Sequence, residues 1–405
     1  MASVQTGRPA RGPRLLSLVN NPQFRGIVFQ IAFAVALAWF AWDIVHNASR
    51  SLAKANIASG YGFLDRTAGF GIVQSLIDYS ESRSYGRAIV VGLINTLLVA
   101  AFSIALATVL GFTVGIARLS RNWLVRQIAG AYVELIRNIP LLLQLFFWYF
   151  AVLRAVPGMR EKLTFLKVFH LNIAGLHAPR PVFGSGALWV VAAALAAVVL
   201  ALLVRRWGRR RLDRTGISPP VARINAALII GLPLAAYFLA GQPLGFDVPQ
   251  FNDTGPLLRR GFQAGSGVTI LPEFIGLLLA LSIYTAAYIA EVVRAGILAV
   301  SHGQTEAALS LGLRPGQTLR FVVIPQALRV IIPPLTNQYL NLTKNSSLAV
   351  AIGYPDLVSV GGTVLNQTGQ AVEMVSIWMA FYLGLSLLTS LVMNYWNRRV
   401  ALVER

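Results

Sequence analysis

Residues Gln304–Pro325 read QTEAALSLGLRPGQTLRFVVIP and lie between two long apolar segments. Glu306, Ala307, Ala308 and Leu309 favour helix, whereas Gly312, Arg314 and Pro315 stop or bend one. Ser301-His302-Gly303-Gln304 fits the S-x-x-Q capping-box pattern, so the spacing predicts a helix starting near His302. Gly312 suits the left-handed residue that follows a helix end. That leaves about ten residues, too few to cross a bilayer and marginal as an isolated helix. A second helix is expected from Pro315, a good first-turn residue, leading into Arg320 and Pro325. A short helix of this kind can bury a face only against its own neighbours or against a partner.

The surroundings decide where that helix sits. The chain has 405 residues, 56% of them hydrophobic and only 12% charged, against roughly 25% charged in soluble domains. Several runs exceed the ~18 apolar residues that read as a membrane helix. They lack the period-two alternation of a β-barrel. The expected class is an all-α polytopic membrane protein. Its net charge of +20 is nearly all arginine. Arginines clustered beside apolar spans set orientation, so nucleic acid is not the expected partner. There is no cysteine, hence no disulfide and no thiolate chemistry. His46, His170, His177 and His302 are scattered, and no metal site is expected. The first 25 residues lack an apolar core ending at a small-residue cleavage site, so the following run reads as an anchor.

Eight spans are expected: 27–46, 88–117, 132–153, 185–204, 224–241, 269–292, 330–352 and 373–396. Arg8, Arg11, Arg14 and Arg25 place residues 1–26 in the cytoplasm, followed by a periplasmic loop over 47–87. Arg118, Arg121 and Arg126, the loop RRWGRRRLDR at Arg205–Arg214, and Arg398, Arg399 and Arg405 of the tail at 397–405 then all fall on the same side. Both termini and the 293–329 loop are therefore expected to be cytoplasmic. The segment 330–352 carries Pro333, Pro334, Asn337, Gln338, Asn341 and Lys344. It reads either as a crossing or as a broken element, and its polarity requires protein or a wet cavity beside it.

A charge at the centre of a membrane helix costs about 2.5–3.5 kcal/mol on insertion scales. Glu134, Arg137, Glu291, Arg294 and Lys344 lie within or beside spans. Glu134 and Arg137 stand i,i+3 and read either as a structural pair or as gating groups. Arg294 reads as a cytoplasmic-edge residue. Glu291 and Lys344 are candidates to line a pathway.

The opening stretch also resembles a known family. Glu306-Ala307-Ala308, three residues, Gly312, nine residues, then Val322-Val323-Ile324-Pro325 is similar to the EAA loop of ABC importer permeases, EAA-x3-G-x9-I-x-L-P. Val322 and Ile324 replace the usual Ile and Leu. YIAEVVRAGILAVSHGQTEAALSLGL resembles the same region of polar amino-acid permeases. ELIRNIPLLLQLFFWYF carries their Arg-x-x-Pro-Leu-Leu-x-Gln pattern at Arg137, Pro140, Leu141, Leu142 and Gln144, with Asn138-Ile139 departing from the usual Gly-Thr. NLTKNSSLAVAIG resembles their segment before the last helix. The resemblance covers a type I core of five helices within 88–396. One N-terminal span and an insert at about 155–268, carrying spans 185–204 and 224–241, lie outside that core. The enlarged plan resembles the larger, eight-span permease of general L-amino acid transport systems.

The resemblance implies a bacterial inner-membrane protein that moves L-amino acids and is driven by cytoplasmic ABC ATPase subunits. It also implies a related second permease and a periplasmic amino-acid-binding protein. Glu306, Ala307, Ala308, Gly312 and Arg314 would then couple to the ATPase. The only lysines, Lys54, Lys162, Lys167 and Lys344, do not follow glycine, so the chain lacks a Walker A loop. No cofactor is expected on this chain, and ATP is expected on the partner. The expected cycle starts with closure of the ATPase dimer, which pushes on Ser301–Arg314. The push passes through Arg314–Pro325 to the flanking spans. A zwitterion then moves past Glu291, Asn337, Gln338, Asn341, Lys344 and Gln144, with Glu291 meeting the ammonium and Lys344 the carboxylate. Glu134, Arg137 and Pro140 would be structural or gating. One alternative is an ion-gradient-driven secondary transporter using Glu134, Glu291 and Lys344, but only one broken segment is evident and no repeated half. An intramembrane enzyme lacks a nucleophile–base or metal set.

Overall fold

The structure is a computed structural model and describes residues 22–54, 60–217, 219–254, 260–263 and 265–400. Arg8, Arg11, Arg14 and Arg405 lie outside these residues. The first helix, α1 (Pro22–Lys54), outlasts the expected 27–46 span, and its apolar stretch Arg25–Ile44 is outward-facing nearly throughout. A 3-10 turn at Tyr61–Asp65 leads into α2 (Tyr85–Ala117), which starts where Ser84 Oγ accepts from the Arg87 amide at 3.3 Å. Among the described residues, seven helices are long and apolar enough to cross a membrane, or eight if one bent pair counts as a span.

That bent pair corrects the expected straight span 132–153. Helix α3 (Trp123–Asn138) starts at Asn122, whose Oδ1 accepts from the Leu124 and Val125 amides. It ends where Ile139, forced extended by the proline that follows, sits at φ −102, ψ 126. Beyond Pro140 run α4 (Leu141–Phe146) and the wide π-type turns Phe147–Leu153, bent 106° from α3.

The insert contains strands that the sequence pattern does not announce. β1 (Leu163–Phe165), β2 (Phe169–Asn172) and β3 (Gly175–Ala178) are antiparallel neighbours, followed by β4 (Arg180–Phe183). Helix α5 (Ala187–Thr215) turns back through α6 (Val221–Leu239). β5 (Leu244–Asp247), β6 (Phe251–Asn252), β7 (Gly261–Phe262) and β8 (Val268–Ile270) then close the unit. β8 pairs with β3, β5 with β4, and β7 with β6. His177 stacks on Phe262 with centroids 3.7 Å apart, and burial together with neighbouring His170 holds its imidazole down to about 4. Two sequence expectations change here. RRWGRRRLDR is not a loop but the continuation of α5, and Thr269 belongs to β8 rather than to a membrane span.

Helix α7 (Pro272–Leu298) is the axis of the core. Lipid tails are as apolar as leucine, so helices in a bilayer hold together by close packing rather than by escape from water. Small residues supply that closeness along α2 and α7. A Cβ added at Gly111 would lie 2.5 Å from Ile289 Cγ2, and one at Gly115 would lie 2.8 Å from the Ala290 carbonyl oxygen. After α7 come α8 (His302–Ser310) and α9 (Pro315–Thr318). π-type turns Leu319–Val323 lead into α10 (Ile324–Asn345), which tightens to 3-10 at Ser346–Ile352. The stretch 330–352 is therefore one helical run with a wide turn before it and a tight one at its end. Pro325 closely follows the wide turns within this run; lacking an N–H, it leaves a carbonyl of the preceding turn without its regular helical donor, at the place where the helix widens. α11 (Leu357–Thr368) and α12 (Ala371–Val400) complete the chain. Leu145, Leu277, Leu281, Ile331 and Leu342 centre one core cluster. Phe63, Tyr85, Leu357 and Met374 centre a second, which fastens the 60–84 strap to α2, α11 and α12.

Candidate functional site

The short helix α8 has a defined end and an open face. Its last turn closes as a Schellman motif: the Leu313 amide donates to the Ala308 carbonyl at 3.2 Å and the Gly312 amide to the Leu309 carbonyl at 2.9 Å. Gly312 sits at φ +79, as the sequence predicts. At the other end the capping box does not form. Ser301 occupies the cap position, but its hydroxyl makes no capping bond, and Gln304 Oε1 instead accepts from Gln326 Nε2 at 3.1 Å. That bond ties α8 to the first turn of α10. Ala308 is 4% exposed and forms the inward face. Ala307 and Glu306 face out; the Glu306 carboxylate meets His302 Nδ1 at 2.9 Å, and its side chain is 67% exposed. Leu309 and Leu311 are exposed on the same short unit. At the start of α9 the Arg314 amide donates to Gln317 Oε1 at 3.0 Å, so Pro315 begins a capped turn.

Glu291 does not stand open to a passing ligand. One carboxylate oxygen accepts from Arg118, just past the end of α2, and the other from Arg294 at 2.6 Å. Both oxygens are engaged in an ion-pair clamp that fastens α2 to α7 near the EAA helix. A substrate ammonium approaching Glu291 would have to displace an arginine.

Gln144 is likewise already engaged. It is buried, and its Nε2 donates to the carbonyls of Ile136 at 2.8 Å and Ile139 at 2.9 Å. In an unbroken helix Ile136 would accept from residue 140, but Pro140 has no N–H. Gln144 supplies the missing donor and holds the bend. Glu134 and Arg137 form no pair with each other: Glu134 is exposed, and the Arg137 guanidinium lies over the Tyr288 ring, 5.1 Å from its centroid.

The polar run of α10 does form one surface. Asn337, Asn341 and Lys344 are exposed and continue the exposed positions Val330 and Pro334 at alternating steps of four and three. Gln338 is half-buried at the edge of this stripe. The opposite side of the helix, with Ala327, Ile331, Leu335 and Leu342, packs into the core. A buried polar knot joining α2 to the α10–α11 turn escapes the sequence reading. Asn95 Nδ2 donates to the carbonyls of Gln74 and Pro355, both at 2.9 Å, and Thr96 Oγ1 accepts from the Leu357 amide at 3.0 Å.

Residues 107–402 match the family described as binding-protein-dependent transport system inner membrane component. The general L-amino acid transport system permease protein AapQ of Rhizobium johnstonii is 51% identical over 392 residues, 96% of this chain and 95% of that protein. The putative amino-acid ABC transporter permease protein YhdX of Escherichia coli is 52% identical, over 95% of this chain and 96% of its own length. The glutamate/glutamine/aspartate/asparagine transport system permease protein BztB of Rhodobacter capsulatus is 40% identical over 98% of both chains. An exposed, capped EAA helix on a core of membrane-length helices and near-full-length identity to permeases lead to one assignment: the chain belongs to the inner-membrane permease components of binding-protein-dependent transport systems.

Proposed function

We propose that this chain moves L-amino acids through the inner membrane as the permease of an ABC importer, with α8 docking on a separate cytoplasmic ATPase. The observation that carries this reading is the open face of α8. Glu306, Ala307, Leu309 and Leu311 are presented outward on a helix too short to be stable alone, tied to α10 by the Gln304–Gln326 bond and closed at Gly312. A push on this face passes through Arg314, the π-type turns and Pro325 directly into α10. The cargo class is supported by three permeases whose names specify amino acids, similar along almost their whole lengths.

The stripe Asn337, Asn341 and Lys344 argues for a covering partner. Lys344 lies eight residues before the end of its helical run at Ile352, about 15 Å because most of that stretch is 3-10 helix rising about 2.0 Å per residue. A polar and charged stripe at that depth is not left against lipid. A second permease of related fold covers it, and cargo passes between the two stripes under gating by Arg137 and the Pro140 bend. The termini and α8 share the cytoplasmic side, following the arginine distribution. A binding protein delivers cargo at the opposite end.

Charge reversal at Glu306 is the direct test. Glu306→Lys keeps the helix and removes the outward carboxylate. In membranes carrying the complete transporter, the ATPase should no longer co-purify with the permease, or ATP hydrolysis should continue without import. Normal import with normal ATPase recovery refutes the docking role.

A further inference from the structure

The end of the molecule opposite α8 holds a cavity of about 490 Å³. α7 starts at its wall and runs 27 residues to the coupling end, about 40 Å away at 1.5 Å per residue. The cavity is built by both parts of the chain. Tyr149 and Arg154 come from the π-type end of α4, Glu273 from the first turn of α7, Ser359 and Thr363 from α11, and Ala174 from the β2–β3 turn of the insert. The size lies within the usual range of small-ligand sites, roughly 300–1,000 Å³.

Its charges are arranged for a ligand that carries both signs. The Tyr149 hydroxyl donates to Glu273 Oε1 at 2.7 Å and accepts from Arg154 Nη2 at 3.3 Å. The tyrosine thus stands between guanidinium and carboxylate, and neither makes an ion pair among the described residues. Arg154 keeps most of its donors for something else, and Glu273 keeps its second oxygen. Two opposite charges held apart by a shared hydroxyl, in a walled space of this volume, match an ammonium and a carboxylate on one small molecule.

We propose that this cavity is an entry subsite for a zwitterionic amino acid, with Arg154 taking the carboxylate and Glu273 the ammonium. The proposal rests on the amino-acid cargo reading. It assigns the insert a role, because the β2–β3 turn closes the space around the two charges. Cargo released at this end is held here before it reaches the α10 stripe.

The test uses the complete transporter, with its ATPase, second permease and binding protein, in liposomes. Import is measured with labelled L-alanine, L-glutamine and L-glutamate at sub-saturating loaded binding protein. Arg154→Gln and Glu273→Gln are each expected to slow import about tenfold, the scale of one lost charge-assisted contact. Arg154→Lys should retain most of the rate, since it keeps the charge. Ala174→Trp, which fills the cavity from the insert side without touching either charge, should slow import like the Gln variants. Recovery of ATPase with the permease reports assembly in each case. Wild-type import by both Gln variants overturns the subsite. So does a loss that Arg154→Lys fails to relieve and that accompanies loss of the ATPase, because the residues would then be structural. A wild-type transporter that imports none of the three amino acids refutes the cargo reading itself, and the subsite with it.

Discussion

Gln144 shows how one side chain can carry a bend. Its amide serves two carbonyls, of Ile136 and Ile139, beside Pro140. Gln144→Leu would preserve volume but leave both carbonyls buried without a donor, at about 1–3 kcal/mol for an unsatisfied group. The purified complex should unfold at lower temperature, and the Tyr149–Glu273 contact beyond the bend should loosen. Asp356 makes a separate prediction. It caps α11, with Oδ1 accepting from the Ser359 amide at 2.8 Å, while burial pushes its carboxyl up to about 7. A raised carboxyl contributes stability that is complete below the unfolded value of about 3.9 and is lost as pH rises through the folded value. Thermal midpoints of the wild type should fall between about pH 4 and pH 7. Asp356→Asn keeps a capping acceptor and should flatten that slope.

Elements differ in how much of them the sequence discloses. The C-terminal end of α8 and the start of α9 are legible because Gly312 and Pro315 act on their own backbone: one supplies a positive φ, the other a preset φ without an N–H. The Gln144 cap could have been inferred, since Pro140 strips Ile136 of its donor and a glutamine follows four residues later. The fate of Glu291 could not, because its partner Arg118 is 173 residues away in sequence. The insert strands are two to four residues long, too brief for an alternating pattern to register. Continuation of α5 through RRWGRRRLDR reflects the good helix propensity of arginine, which charge-based span counting ignores. At this scale the α2–α7 contact is the sharpest test. Gly111→Val would drive methyls into Ile289 and the Ala286 carbonyl, where even a Cβ sits 2.5–3.1 Å from its neighbours. Overpacking costs typically 1–3 kcal/mol, and here it pushes two backbones apart. Recovery of folded permease should drop sharply, whereas Gly130→Val, at a glycine with open space around it, should be tolerated.

Among the described residues, a helical core built around α7 carries two additions of different standing. Helix α1 lies outside both core clusters, while the strap after it is bound tightly: the Gly60 amide meets Glu373 Oε1 at 2.5 Å and Tyr61 meets Ser376 at 2.6 Å. The larger part of the insert is bounded by a strand pair, with Leu176 opposite Ile270 and Ala178 opposite Val268. The polypeptide therefore departs from the core and returns to it at neighbouring points, like a side branch leaving and rejoining a trunk at one node. Some ninety residues can lengthen, shorten or change character between those points without altering where any core helix starts. Such a node lets a lineage graft new material onto an old translocation machine while leaving its drive train untouched.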